Sequence, residues 1–490
     1  MAMKYIRPLL IIITCLLFFL NFKGEIIPVN NGMGWDGRLY AYYTAQLDSA
    51  IQEKRINEYR FQRILMSVVL NKSMKAMNIE FSVDNTVMAF KVFNLLFLLI
   101  ALLYYFLISR KLGFTPLNEM LGLAALFWCF PILKIPGFNP IITDVGAFSL
   151  GIMVVYHFLC NHRIVNIFLI LLGSFVYPTF LLFGLLIIFP RESYSSKDNA
   201  YRPERLILPS LYLLVFLVAY FGYQNDFSDT YADVNPTNSK ALWLSILIAL
   251  AYCYFIGAFL PDFKRTKEIF QKINWLYLIP IIGIFVIIRY LTHNYASPQP
   301  QQMSTGRYII NIMKQSVANP GVFIVAHIIY FGWLPILLIW LKKPIVTTIR
   351  ANGYGLSILL AGVGFMSLGS ESRQLINFYP LFVILVIMSL QNIKAINQIV
   401  VFGFAFSSLL LSRFWYVFGS GDISKNLLKY PAQRYFQFFG PWMSNEAYLQ
   451  NLLITGFVFL VFLILQKTGY LFEIAQIKSK VTTGINKKRK

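Results

Sequence analysis

The sequence predicts an all-α polytopic membrane protein, and three observations carry that reading. Apolar runs of about 18 or more residues follow one another from Leu9 to Leu465 with few interior charges, as helices crossing about 30 Å of hydrocarbon must. The 490 residues are 57% hydrophobic and 13% charged, with a mean hydropathy of +0.61, against about 25% charged and 45 to 50% apolar in soluble domains. The basic residues behind the net charge of +22 fall largely in short connections and in the tail Lys487 to Lys490. That is the distribution of positive-inside topology, not of nucleic-acid binding.

Taken in order, the runs predict about twelve full spans plus one proline-broken re-entrant pair, in a single transmembrane domain over residues 1–490. Pro8 to Phe22 is followed by no small-residue cleavage site and reads as a retained first span, its start beside Lys4 and Arg7 in the cytoplasm. Residues 23–86 then form a first extracytoplasmic loop. Span two, Val87 to Ser109, returns to Arg110-Lys111, and span three, Glu119 to Lys134, leads out again. Span four starts near Ile142 with Asp144 at its outer mouth and ends at Asn161-His162-Arg163.

Ile164 to Phe189 decides the topology of everything after it. As one crossing it would put Arg191, Lys197, Arg202 and Arg205 outside; two half-helices hinged at Tyr177-Pro178 return the chain inside, and the proline supplies the break. With the hairpin, Lys264, Arg265, Lys267, Lys272, Lys342, Lys343, Arg350 and Lys394 all fall inside, and Asp226, Asp229 and Asp233 fall outside. The outer face also receives residues 293–320, the turn Glu371-Ser372-Arg373 and residues 416–449. Residues 87–222 complete a first module, 223–466 add further helices, and 467–490 form a basic cytoplasmic tail. Cys15, Cys129, Cys160 and Cys253 show no metal-ligand spacing and predict neither disulfides nor zinc, and the four histidines form no metal constellation.

The long polar stretch from Gly34 to Met77 holds most of the candidate chemistry. Asp36 lies just past a span between Gly34 and Gly37, which leave room for close approach to a substrate, so its carboxylate is placed to serve as general base or to hold a divalent metal against a phosphate. The alternative is a turn with an aspartate cap. Arg60 and Arg63 stand in a run whose apolar positions Phe61, Ile64, Leu65, Val68 and Val69 predict an amphipathic juxtamembrane helix, with both guanidinium groups on one face for a phosphate or snorkelling to headgroups. Tyr40, Tyr42 and Tyr43 read as an interfacial aromatic belt or a sugar platform. Asp144, Glu371 and Arg373 sit at span ends with few neighbouring charges, where ionisable groups are functional candidates; the alternative for Glu371 and Arg373 is an ion pair fixing a turn.

Three stretches carry a family resemblance: Gly34-Trp35-Asp36-Gly37-Arg38-Leu39-Tyr40, Tyr59-Arg60-Phe61-Gln62-Arg63-Ile64-Leu65, and Thr143-Asp144 opening span four, supported by the break at Tyr177-Pro178 and by Glu371-Ser372-Arg373 ahead of Tyr379-Pro380. This pattern resembles membrane glycosyltransferases of the GT-C fold, over about the first 190 residues by motif and beyond them by hydropathy. The resemblance implies transfer of a sugar from a polyprenyl-phosphate donor to a glycan, lipid or protein acceptor on the extracytoplasmic side of a bacterial inner membrane. It implies Asp36 as the catalytic carboxylate and Asp144 as a second acidic residue supporting it or binding a divalent metal, the one cofactor the pattern suggests. Arg38, Tyr40, Tyr43, Arg60, Arg63, Glu371 and Arg373 become substrate-binding residues, with Arg60, Arg63 and Arg373 holding the lipid phosphate as it leaves. A single aspartate stands where some members carry an acidic pair, and the absence of a Trp-Trp-Asp-type motif argues against a protein-glycosylating oligosaccharyltransferase. A polysaccharide polymerase or ligase acting through Arg434, and a lipid-linked-sugar flippase, remain the competing readings.

Overall fold

The computed structural model describes residues 3–194, 203–222, 239–297, 305–391, 398–418 and 440–467, and every regular element in them is a helix. The acidic loop with Asp226, Asp229 and Asp233, together with Lys394, Arg434 and the tail after Lys467, lies outside the described residues. The first helix, α1 (Met3–Lys23), covers the residues expected as a first span, Pro8 to Phe22. The polar stretch after it folds into four short helices, α2 (Gly37–Ala45), α3 (Leu47–Gln52), α4 (Glu58–Phe61) and α5 (Leu65–Ala76). Then come α6 (Val83–Leu112), the broken run α7 (Pro116–Phe127), α8 (Phe130–Leu133) and α9 (Ile135–Phe138), and α10 (Asp144–Leu159). Local sequence sets these boundaries. The Ser82 hydroxyl accepts from Asn85 N at the start of α6, and Thr115 does the same for Asn118 N at α7, where Pro116 follows as a first-turn residue whose missing N–H costs nothing.

The expectation of twelve full spans needs correction. Among the described residues five helices are long and apolar enough to cross a membrane, or up to seven if each of two bent pairs counts as one span; six further apolar helices are only 10–17 residues long. The chain remains a multi-pass helical membrane protein. The difference arises because several apolar runs are interrupted: α7 and the segment after it bend by 68°, and Tyr308–Val317 and Val322–Phe331 bend by 97°. Such breaks are tolerated at membrane depth where protein surrounds the freed backbone groups, and every residue from Met120 to Gly151 is buried.

Contacts between distant connections sort the chain into two ends. At the basic end Arg7 donates to the Glu119 carboxylate through Nε and Nη2 at 2.7 and 2.6 Å, and Ser109 bonds the same carboxylate. There too Gln391 Nε2 reaches Gly113 O at 3.1 Å, and Tyr354 donates to Glu268 at 2.8 Å. At the opposite end Lys134 pairs with Glu25 at 2.6 Å and donates to Tyr416 O at 2.7 Å. Segments that the charge pattern assigns to one side therefore meet one another.

The hinge at Tyr177-Pro178 behaves as a turn-back. The chain leaves α10 at Leu159, runs through α11 (Arg163–Ser174), and is beside Leu159 again at Arg191, whose Nη1 donates to Leu159 O at 2.9 Å. Between these points Tyr177 lies against Asp144 at the other end of α10. A second close approach sets the depth of α10: a Cβ on Gly151 would fall 2.1 Å from Asn377 O. Gly151→Ala is expected to cost about 1–3 kcal/mol or more, because the obstacle is backbone that cannot rotate away; a fall in the Tm of the purified protein checks it.

Candidate functional site

Four stretches that are far apart in sequence converge at the end of the bundle opposite the basic one. The first loop supplies Asp36, Tyr40, Tyr59, Arg60 and Arg63, α10 supplies Asp144, the hairpin tip supplies Tyr177, and the turn before helix Tyr379–Gln391 supplies Arg373. The tip is tied to the first loop by Leu65 N donating to Phe175 O at 3.1 Å.

Asp36 occupies the N-cap position of α2 but its carboxylate makes no cap hydrogen bond; it faces Arg60 Nη2 at 3.4 Å, with half of its side chain accessible. The flanking glycines do a different job from the one expected. Cβ atoms on Gly34 and Gly37 would fall 2.8 Å from Asn139 Oδ1 and from Ile141 O. The glycines thus let the backbone around Asp36 pack on the residues just before α10, and the room they create is filled by protein.

Arg60 and Arg63 do not share the face of one amphipathic helix. Helix α4 is only four residues long, started by Asn57 accepting from Arg60 N, and the chain turns before α5. Arg60 consequently points to Asp36, whereas Arg63 is buried with its guanidinium carbon 4.3 Å from the ring centres of both Tyr59 and Tyr177. A cation held between two rings is fixed in plane while its edge N–H groups keep their donor capacity.

Asp144 is the most enclosed charge of the group, 1% exposed. Its Oδ1 accepts from Tyr177 O–H at 2.7 Å and from Arg373 Nη2 at 3.2 Å. Arg373 therefore pairs with Asp144, not with Glu371, whose Oε2 accepts from Gln374 Nε2 at 2.6 Å. Gln374 in turn accepts from Tyr308 O–H at 2.6 Å. Tyr40 and Tyr43 are buried and packed edge to face with ring centres 6.5 Å apart. Burial pushes both phenols up, Tyr40 the further, so both are neutral at physiological pH. Arg38 is exposed at the start of α2 and joins none of these contacts.

The side-chain chemistry can be tested for a divalent metal. Asp144 is engaged by an arginine and a phenol, Asp36 by an arginine, and among the described residues no three His, Cys, Asp or Glu side chains gather as ligands. The residues do not fit a metal centre. The Nε groups of Arg60, Arg63 and Arg373 are each buried without an acceptor, and Asp144 Oδ2 and Glu58 Oε2 are buried without a donor; three guanidinium groups in one cluster suit an anion better than a cation.

Of the eight converging residues, sequence reasoning named six as site residues and gave Tyr59 and Tyr177 no role beyond the motifs they stand in; Tyr308 and Gln374, which position Glu371, were not named at all. Tyr59 was signalled by its spacing of four from Arg63, and Tyr177 by its place before the breaking proline. Tyr308 and Gln374 carried no local signal, because only the fold places them beside Glu371. Comparison with protein-family models, with curated proteins and with solved structures finds no match for this chain.

Proposed function

We propose that this chain is an integral membrane glycosyltransferase, similar to the GT-C enzymes, that moves a sugar from a polyprenyl-phosphate donor to an acceptor hydroxyl on the extracytoplasmic face. The observation that carries the reading is the set of three guanidinium groups, Arg63 buried and Arg60 and Arg373 partly so, each with a buried Nε that lacks an acceptor, in the cluster that holds the accessible Asp36 carboxylate.

In this reading Asp36 takes the proton from the acceptor hydroxyl as that oxygen bonds to the anomeric carbon. The bond from that carbon to the phosphate oxygen breaks, and the electron pair leaves with the lipid phosphate. Arg60, Arg63 and Arg373 stabilise the charge that develops there, an effect strongest in a site poor in water. Asp144 and Tyr177 act by holding Arg373, and Tyr59 and Tyr177 by holding the plane of Arg63. Glu371, kept in place by Gln374, offers its remaining oxygen to sugar hydroxyls.

The test is transfer of labelled sugar from a polyprenyl-phosphate donor to mixed membrane glycolipids in vesicles holding the full chain. Donor consumption with labelled glycolipid product supports the proposal. Movement of a labelled lipid-linked glycan across the bilayer without donor consumption would replace it with a transporter.

A further inference from the structure

Arg373 stands on the connection between helices Tyr354–Met366 and Tyr379–Gln391, in which only the short turn Ser372–Leu375 is helical. Connections of this kind are more mobile than the helices they join. Arg373 nevertheless has to meet the buried Asp144 carboxylate, 3.2 Å away, and a hydrogen bond weakens steeply once its geometry is lost.

A third helix, Val322–Phe331, supplies a brace. Its His327 is buried, with Nε2 2.7 Å from Ser367 O and Nδ1 2.8 Å from Ser372 Oγ. A carbonyl only accepts, so Nε2 carries a proton, and in the neutral ring Nδ1 accepts from the Ser372 hydroxyl. One rigid ring thus links the residue just after the first helix to the residue just before Arg373. The first of these points is itself fixed: Ser367 Oγ donates to Gly364 O at 2.6 Å and accepts from Tyr252 O–H at 2.6 Å. The other neighbours of the imidazole are apolar, for it shares a small cavity with Phe323, Phe331, Leu334, Leu375 and Phe382. A polar ring in such surroundings costs free energy unless it is hydrogen-bonded, and both of its bonds go to this one connection. Leucine would serve packing alone.

We propose that His327 is a positioning residue for Arg373: through Ser372 it fixes where the guanidinium group meets Asp144, and hence where Arg373 presents its free Nε to the leaving phosphate. The effect on the pairing with Asp144 holds by itself; the effect on the phosphate rests on the glycosyltransferase reading. A misplacement of about 1 Å in such a group costs about a hundredfold in rate.

The test uses the full chain, purified in detergent and reconstituted in vesicles. His327→Leu removes both bonds, Ser372→Ala removes the hydroxyl alone, and His327→Asn keeps an amide oxygen close to the place of Nδ1. Thermal unfolding of each is followed with and without Arg373→Met. The fall in Tm caused by Arg373→Met is expected to shrink to less than half in the His327→Leu and Ser372→Ala backgrounds, because a displaced guanidinium group no longer compensates Asp144. With His327→Asn it is expected to stay close to its full size. A merely structural histidine would lower every Tm and leave that difference unchanged, which overturns the proposal, as does a His327→Asn variant that behaves like His327→Leu. If His327→Leu fails to fold, Ser372→Ala decides the comparison. In vesicles, Ser372→Ala and His327→Leu are expected to lower kcat for sugar transfer by up to about a hundredfold with the donor KM little changed, and His327→Asn to restore most of it. Folded variants with unchanged kcat would overturn the role in transfer. A wild type that transfers no sugar would remove the glycosyltransferase reading and leave the Tm comparison to decide the pairing role.

Discussion

Asp36→Asn is expected to lower sugar transfer by about a hundred- to ten-thousand-fold, the usual contribution of a positioned general base. The substitution keeps the size and shape of the side chain and removes its negative charge and its ability to take a proton. Stability is expected to change by no more than about 1 kcal/mol, because Asp36 is half accessible and its contact with Arg60 is long, at 3.4 Å. Donor binding is expected to persist, since the buried N–H groups of Arg63 and Arg373 are untouched. The readouts are initial transfer rates in vesicles, donor retention on the purified protein, and its Tm. A variant that folds, binds donor and transfers within a few-fold of wild type would remove Asp36 from the chemistry.

The second large effect is on stability. Arg373→Met leaves the Asp144 carboxylate 1% exposed with only the Tyr177 hydroxyl as partner. Removing one member of a buried pair costs about 3–5 kcal/mol, because the remaining charge stays desolvated and uncompensated. Asp144→Leu combined with Arg373→Met removes both charges and is expected to recover a large part of that loss, the non-additivity that a double-mutant cycle isolates. Thermal unfolding in detergent compares the variants with wild type. With Asp144→Leu measured as well, a double-variant loss equal to the sum of the two single losses would mean that the two groups are not energetically coupled. Sugar transfer is expected to be lost in both, since neither retains the guanidinium group. Stability and activity therefore separate in this series, which distinguishes a phosphate-holding role for Arg373 from a merely structural one.

Most of the fold was legible because its signals are local and additive. Hydropathy marks each apolar run, and a proline such as Pro178 ends a helix wherever it falls. Arg191 back at Leu159 and Gln391 at Gly113 follow the grouping that basic connections alone predict. The span count was less legible. Hydropathy does not show where a helix breaks off, and α10, almost wholly buried, runs for only 16 residues. The helix expected around Arg60 and Arg63 failed for a related reason. Its apolar spacing was real, but Asn57 capped one short helix and a turn separated it from the next, so the two arginines face different partners.

By itself the sequence determined that this chain is a helical, multi-pass membrane protein, and which residue types are available near one of its ends, because composition, charge and helix-breaking act residue by residue. Only the tertiary structure decided how those residues pair. Arg373 meets Asp144 across 229 positions, Tyr177 arrives from a hairpin tip, and the glycines around Asp36 pack on residues before α10 instead of leaving space for substrate. The physical reason is that a buried charge takes its partner from whatever the packing of helices brings within about 3 Å, and that distance depends on backbone contacts such as Gly151 against Asn377, which no local pattern encodes.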